Sequence, residues 1–126
     1  MPCKVEWPYD GVIVRWTGTT DVAELVDISA QIVADSRFAS VRWALHDFRA
    51  CEGMAVTPPP LGEISEIDLA AATTNPSLLI AVVTTRDDVR TAFSAYVDSA
   101  INRFRVGFVD TIDAAQVWLL GKTLQS

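Results

Sequence analysis

The chain has 126 residues, 50% hydrophobic and 21% charged, with a formal net charge of −6 at pH 7 and a pI near 4.5. That length and apolar content suffice for one core, so residues 1–126 are expected to form a single domain that folds without metals or disulfides. The acidic balance repels a phosphate backbone or an anionic bilayer at long range, and the Lys and Arg residues form no basic stripe, which argues against nucleic acid as a partner.

Two β-type runs open the chain, Lys4 to Trp7 and Val12 to Trp16, joined through Pro8-Tyr9-Asp10-Gly11, whose turn chemistry predicts an antiparallel hairpin. Thr17-Gly18-Thr19-Thr20 is expected to break the second strand. Thr20 or Asp21 then caps a helix in which Val22, Leu25, Val26, Ser29, Ile32 and Val33 recur at helical spacing, ending near Ser36. A strand follows over Arg42 to Phe48, where Val41, Trp43 and Leu45 alternate with Arg42, Ala44 and His46. Ala50 to Pro60 carries Cys51, Gly53 and three prolines, and reads as a loop.

Leu61 to Thr73 has a weakly amphipathic helical spacing, stopped by Asn75-Pro76. Leu78 to Val83 is an unbroken apolar run of strand length, the pattern of a central strand buried on both faces. Asp87 or Asp88 caps the next helix, whose stripe is Val89, Ala92, Phe93, Tyr96, Val97, Ala100 and Ile101. Phe104 to Val109 is the last strand, and Asp110-Thr111 introduces a closing helix with Ala114, Ala115, Trp118 and Leu119 on its buried side. The order is ββαβαβαβα: an α/β fold with a mixed sheet, an antiparallel N-terminal hairpin, a parallel centre and about four helices.

This order resembles the STAS domain of bacterial anti-sigma-factor antagonists, within it the SpoIIAA-like branch. The matching stretches are Gly11 to Gly18 ahead of a capped helix, Trp43 to Asp47 as strand with a terminal Asp, and Ala115-x-x-Trp118-Leu119 in the last helix. The resemblance implies a regulatory fold. The Asp-Ser-Ser-Gly phosphorylation motif of the antagonists has no counterpart here. The corresponding region reads Asp47-Phe48-Arg49-Ala50-Cys51-Glu52-Gly53-Met54-Ala55-Val56-Thr57, and neither Thr57 nor Ser65 is assigned as a phosphosite.

Candidate binding groups collect where parallel strands end, since loops and helix N-termini converge there. Asp47 and Arg49 follow the third strand, Thr84, Thr85 and Arg86 the fourth, and Asp110 the fifth, forming one possible rim for a ligand or partner. The same residue types also serve as helix caps. His46 and Cys51 suggest a base and a nucleophile, but Asp47 and Glu52 disfavour a thiolate. Cys3 and Cys51 are expected as free thiols. Asp87-Asp88 and Asp110 with Asp113 are read as caps, so no metal and no cofactor are called for.

The sequence therefore points to a non-enzymatic regulatory or protein-interaction module whose partner is another protein or a second copy in a homodimer. Trp118 and an exposed edge strand in the opening hairpin motivate the homodimer. A first alternative is a carrier or sensor of a small apolar, lipid-like ligand. Its cavity would be lined by Trp7, Trp16, Trp43 and Trp118 with Phe93, Tyr96, Phe104 and Phe108. A second is an enzyme centred on Asp47, His46, Arg49 and Cys51. Met1 to Asp10 lacks the basic start and apolar run of a signal peptide, and no segment reaches bilayer length, so a cytoplasmic protein without membrane insertion is expected.

Overall fold

A computed structural model describes residues 3–55, 61–98 and 105–125. The later part of the expected loop, residues 56–60 with Thr57, lies outside them, as do Ala100, Ile101 and Phe104. Among the described residues the order is β1 (Cys3–Glu6), β2 (Gly11–Asp21), α1 (Val22–Ala34), a 3-10 helix (Ser36–Ser40), β3 (Trp43–Ala55), α2 (Leu61–Thr74), β4 (Leu79–Val83), α3 (Asp87–Asp98), β5 (Arg105–Val109) and α4 (Ile112–Gln125). The five strands lie in sequential order β1-β2-β3-β4-β5. β1 is antiparallel to β2 and every other pair is parallel, as the hairpin and the crossovers require. No helix among the described residues is long and apolar enough to cross a membrane.

Strand alternation sorts the side chains onto two faces. Val12, Val14, Trp16, Ala44, Phe48 and Val82 point to the first, where they pack under α1 (Val22, Leu25, Val26, Ile32), α2 (Ile64, Ala71) and α3 (Val89, Ala92, Phe93). Leu45, Leu79, Ala81 and Val83 point to the second, which α4 covers with Ala115 and Leu119. Successive crossovers of one hand, stepping always in the same direction along the sheet, lay every connecting helix on one face. Only α4, which follows the edge strand β5, is left for the other.

Asp21 forms the cap of α1, its carboxylate accepting the Glu24 N–H at 2.9 Å, while the Thr20 hydroxyl donates to the Glu24 carboxylate at 2.6 Å. Burying Val22, Leu25, Val26, Ile28 and Ile32 then holds the helix down, each side chain contributing about 1.5–3 kcal/mol. Asn75 does more than stop α2: its amide donates to the carbonyls of Phe38 (3.0 Å) and Val41 (2.6 Å), anchoring the 3-10 turn that leads into β3.

Two sequence expectations are corrected. Thr17-Gly18-Thr19-Thr20 does not break β2, and the stretch from Ala50 to Ala55 is strand rather than loop. The two run on together beyond the end of β4, pairing from Thr17 with Ala50 to Asp21 with Ala55. The β3 strand carries one extra residue between Asp47 and Ala50, and another between Cys51 and Gly53, so two bulges absorb the mismatch. A parallel ladder thus satisfies backbone groups that turn-forming residues would otherwise have left to solvent. Asp88, in the first turn of α3, fastens the ribbon by accepting the Met54 N–H at 3.0 Å.

Tryptophans and glycines are matched on the second face. A Cβ added at Gly107 in β5 would lie 2.5 Å from Cε2 of Trp118, and one at Gly11 in β2 would collide with the Trp43 indole on the adjacent strand. Each indole therefore lies over backbone that only glycine leaves bare.

Gly107→Ala should lower unfolding stability by about 1–3 kcal/mol in urea titrations, and by clearly less in a Trp118→Leu background, where the obstructing ring is gone. Asp88→Ala should accelerate hydrogen exchange at the Met54 amide at least tenfold, with a global loss of about 1–2 kcal/mol.

Candidate functional site

The carboxyl-end groups fall into two clusters rather than one rim. On the second face, Asp47 is buried at the end of the regular part of β3. Its Oδ1 accepts the Arg49 N–H (3.1 Å) and Nε–H (3.0 Å), and its Oδ2 accepts from Arg49 Nη2 (2.9 Å) and Arg15 Nη1 (3.0 Å). The bulge after Asp47 turns Arg49 back onto it. Burial alone would raise the Asp47 pKa, but the bonds from Arg49, helped by the charge of Arg15, hold it below its ordinary value. Arg15 also reaches Glu6 on β1 at 3.3 Å, so the cluster ties three adjacent strands together.

The second cluster joins the ends of β4 and β5 to α3. Thr84 is buried, its N–H donating to the Val109 carbonyl (2.9 Å) and its hydroxyl oxygen accepting the Arg86 N–H (3.0 Å). Arg86 grips Asp88 through Nε and Nη2, both at 3.0 Å, and Arg90 bonds Asp110 at 2.8 Å. Arg86, together with the Met54 and Val89 N–H groups, keeps the Asp88 pKa low. Thr111, rather than Asp110, supplies the oxygen that accepts the Ala114 N–H at the start of α4 (3.0 Å). Of the six rim residues expected from sequence, Arg49, Thr85 and Asp110 are exposed and Arg86 is half-buried. Asp47 and Thr84 are buried and position their neighbours instead.

The grouping of Asp47, His46, Arg49 and Cys51 does not form. His46 and Asp47 are consecutive in a strand, so their side chains leave the sheet on opposite faces. His46 sits under the helices, between Trp16 and Phe93, and its Nδ1 accepts the Trp16 indole N–H at 3.2 Å. An indole can only donate, so this nitrogen carries no proton and the neutral ring keeps its proton on Nε2. Burial lowers the His46 pKa to about 4. Burial likewise raises the Cys51 pKa, and its thiol donates to the Gly53 carbonyl at 3.5 Å. These are the properties of core groups, neither a poised base nor a thiolate. Among the described residues, no three His, Cys, Asp or Glu side chains converge as a metal site requires.

The tryptophans separate in the same way. Trp16 is fully buried in the first-face core, stacked on Phe48 with centroids 5.4 Å apart, and Trp7 lies under the Arg37 guanidinium at 4.4 Å. Trp43 lines an open groove of about 700 Å³ between α4 and the β2–β3 half of the second face. Ile13, Leu45, Ile112 and Leu120 line it as well, with Arg15, Arg42 and Arg49 and the acidic Asp10 and Asp113 around it. Leu120 is 62% exposed there. A smaller hollow of about 340 Å³ at the β3 bulge shares Arg15 and Arg49 with the groove. Arg15 was legible in the sequence only as a polar break in an apolar run, because its partner Asp47 is 32 residues away.

The buried His46 sets an acid limit on stability. Unfolded, the imidazole binds a proton below about pH 6.5, whereas the folded protein resists doing so until about pH 4. Stability linked to this group is therefore complete above pH 6.5 and declines by up to about 3 kcal/mol as pH falls toward 4. His46→Asn retains an acceptor for the Trp16 N–H but cannot titrate. Urea midpoints measured from pH 7 to 4 should fall for the wild type and stay much flatter for the variant over that window.

No family model matches the sequence, and no curated protein matches it. Solved structures do. The unphosphorylated form of the anti-sigma factor antagonist SpoIIAA superposes with a TM-score of 0.58 over 94% of this chain and 97% of its own, at 12% identity. The phosphorylated form of SpoIIAA, the Bacillus cell fate determinant, gives a TM-score of 0.53 over 93% and 98%, at 13% identity. With the five-stranded mixed sheet and the ββαβαβαβα order, this likeness establishes that the chain has the STAS fold of SpoIIAA.

Proposed function

We propose that this chain is a cytoplasmic regulatory module, acting as one domain over residues 1–126, that works by binding another protein rather than by catalysis. The observation that carries the reading is the fold, shared over almost the whole chain with a protein named as an anti-sigma factor antagonist. The contact surface includes the carboxyl-end loops, where Arg49, Thr85 and Asp110 are accessible and Arg86 partly so. Asp47, Thr84 and Asp88 hold that surface in shape through the hydrogen bonds described above. The engagement of these carboxylates and guanidiniums with one another supports a binding role, since general acid–base chemistry needs a group free to exchange its proton with substrate.

The groove of about 700 Å³ favours one second reading, a carrier of a small apolar ligand. Native mass spectrometry of the chain, purified gently from its own host, separates the two. A stoichiometric complex with another protein, or with a second copy of itself, is the expected outcome. A single chain that retains only a small molecule would sink the interaction reading and leave the carrier.

A further inference from the structure

The three helices on the first face are not held alike. α1 rests on β2 and α3 on β3, and the two helices also touch each other, so together they span the middle of the sheet. α2 packs chiefly against α1, and among the described residues it has no comparable contact with any strand. It is the outermost element of that face.

Its apolar seam is also the shorter one. α1 buries Val22, Leu25, Val26, Ile28 and Ile32, whereas among the described residues of α2 only Ile64 and Ala71 are buried apolar side chains. Between them on the same stripe lies Asp68, 4% exposed, where an apolar side chain would have lengthened the seam. The two ends of the helix differ as well. Asn75 ties down the C-terminal end: its N–H donates to the Ala71 carbonyl at 2.7 Å, and its side-chain amide holds the carbonyls of Phe38 and Val41. At the N-terminal end Gly62 and Glu63 are exposed, and among the described residues no hydrogen bond fastens the stretch from Gly62 to Ile64 to another element.

From this placement we infer that α2 is a hinged helix, which leaves α1 with its N-terminal end first and turns about Asn75 while α1, α3 and the sheet stay folded. Elements with few buried apolar contacts open at lower free energy than the core, and switching elements are drawn from them. A helix of 14 residues is marginal by itself in water, so α2 loses its internal hydrogen bonds once it is undocked. The open form uncovers the flank of α1 that α2 shields, and any molecule that prefers that flank holds α2 away by population shift. The hinge is a property of the chain alone and does not depend on the interaction reading above.

Native-state hydrogen exchange of the full chain, followed by NMR at pH 7 from zero to sub-denaturing urea, tests the hinge. The amides of Glu66 to Asp68 should exchange about a hundredfold faster than the slowest amides of α1 and α3, and about tenfold faster than those of Ala72 to Asn75. Their rates should rise with urea, because opening uncovers Ile64 and Ala71, whereas fraying of a helix end uncovers little. Val89→Ala, in α3, should speed the slowest α1 and α3 amides about tenfold and leave Glu66 to Asp68 unchanged, since α3 is intact in the open form. Exchange in α2 no faster than in α1 and α3, rates indifferent to urea, or equal rates at both ends of α2 would each overturn the inference. So would α2 rates that follow the α3 rates in Val89→Ala; if that variant does not fold, the wild-type rates decide by themselves.

Discussion

Strand order is the constraint on which the rest of this structure depends. Because β2 to β5 are parallel and sequential, each return connection passes over the same face, so α1, α2 and α3 share one side of the sheet and bury its largest side chains. Among the described residues the other side receives one helix, and that asymmetry has chemical consequences. The first face is dry enough to hold His46 neutral against Trp16, while the second keeps an open groove, lined by both arginines and aspartates, beside a packed strip of Leu45, Leu79, Ala81, Val83 and Leu119.

Charged groups at the strand ends act mainly as fasteners. Asp47 receives four hydrogen bonds from Arg49 and Arg15, three of them from guanidinium groups, and thereby fixes the bulge at which β2 and β3 leave the main sheet. Asp88 does the same work farther along, joining the Met54 amide to Arg86 and the first turn of α3. Charge-assisted bonds of this kind are stronger than neutral ones, and they keep two bulges and a two-stranded extension in one arrangement. Side chains already held in place by such bonds cost less ordering when a complex forms.

The two faces also offer different things to a partner. The carboxyl-end loops present polar groups already committed to internal bonds, and those can make only their remaining contacts. The groove presents apolar surface instead, with Arg15, Arg42 and Arg49 and the acidic Asp10 and Asp113 around it, so that burial is what it chiefly offers. Gly11 leaves room for the Trp43 indole against the β2 backbone, since a Cβ there would collide with the ring.

What the sequence by itself determined is local and periodic. The alternation of β2 and β3, the apolar run of β4, the capped stripe of α1 and the Asn75-Pro76 stop all concern residues within a turn or two of each other, and each appears where its spacing places it. The ββαβαβαβα order follows from them. What only the tertiary structure decided involves partners far apart in the chain. Turn-forming residues at Thr17-Gly18 and Glu52-Gly53 became strand because each stretch found the other 33 or 34 positions away, and a ladder outweighs local turn preference. The enzyme-like grouping dissolved because the consecutive residues His46 and Asp47 face opposite ways, and the proposed rim divided because Asp47 bonds Arg15 while Asp88 bonds the Met54 amide. The groove, finally, is a property of how many helices the chain returns to each face, and periodicity within one helix says nothing about which half of a sheet that helix will leave open.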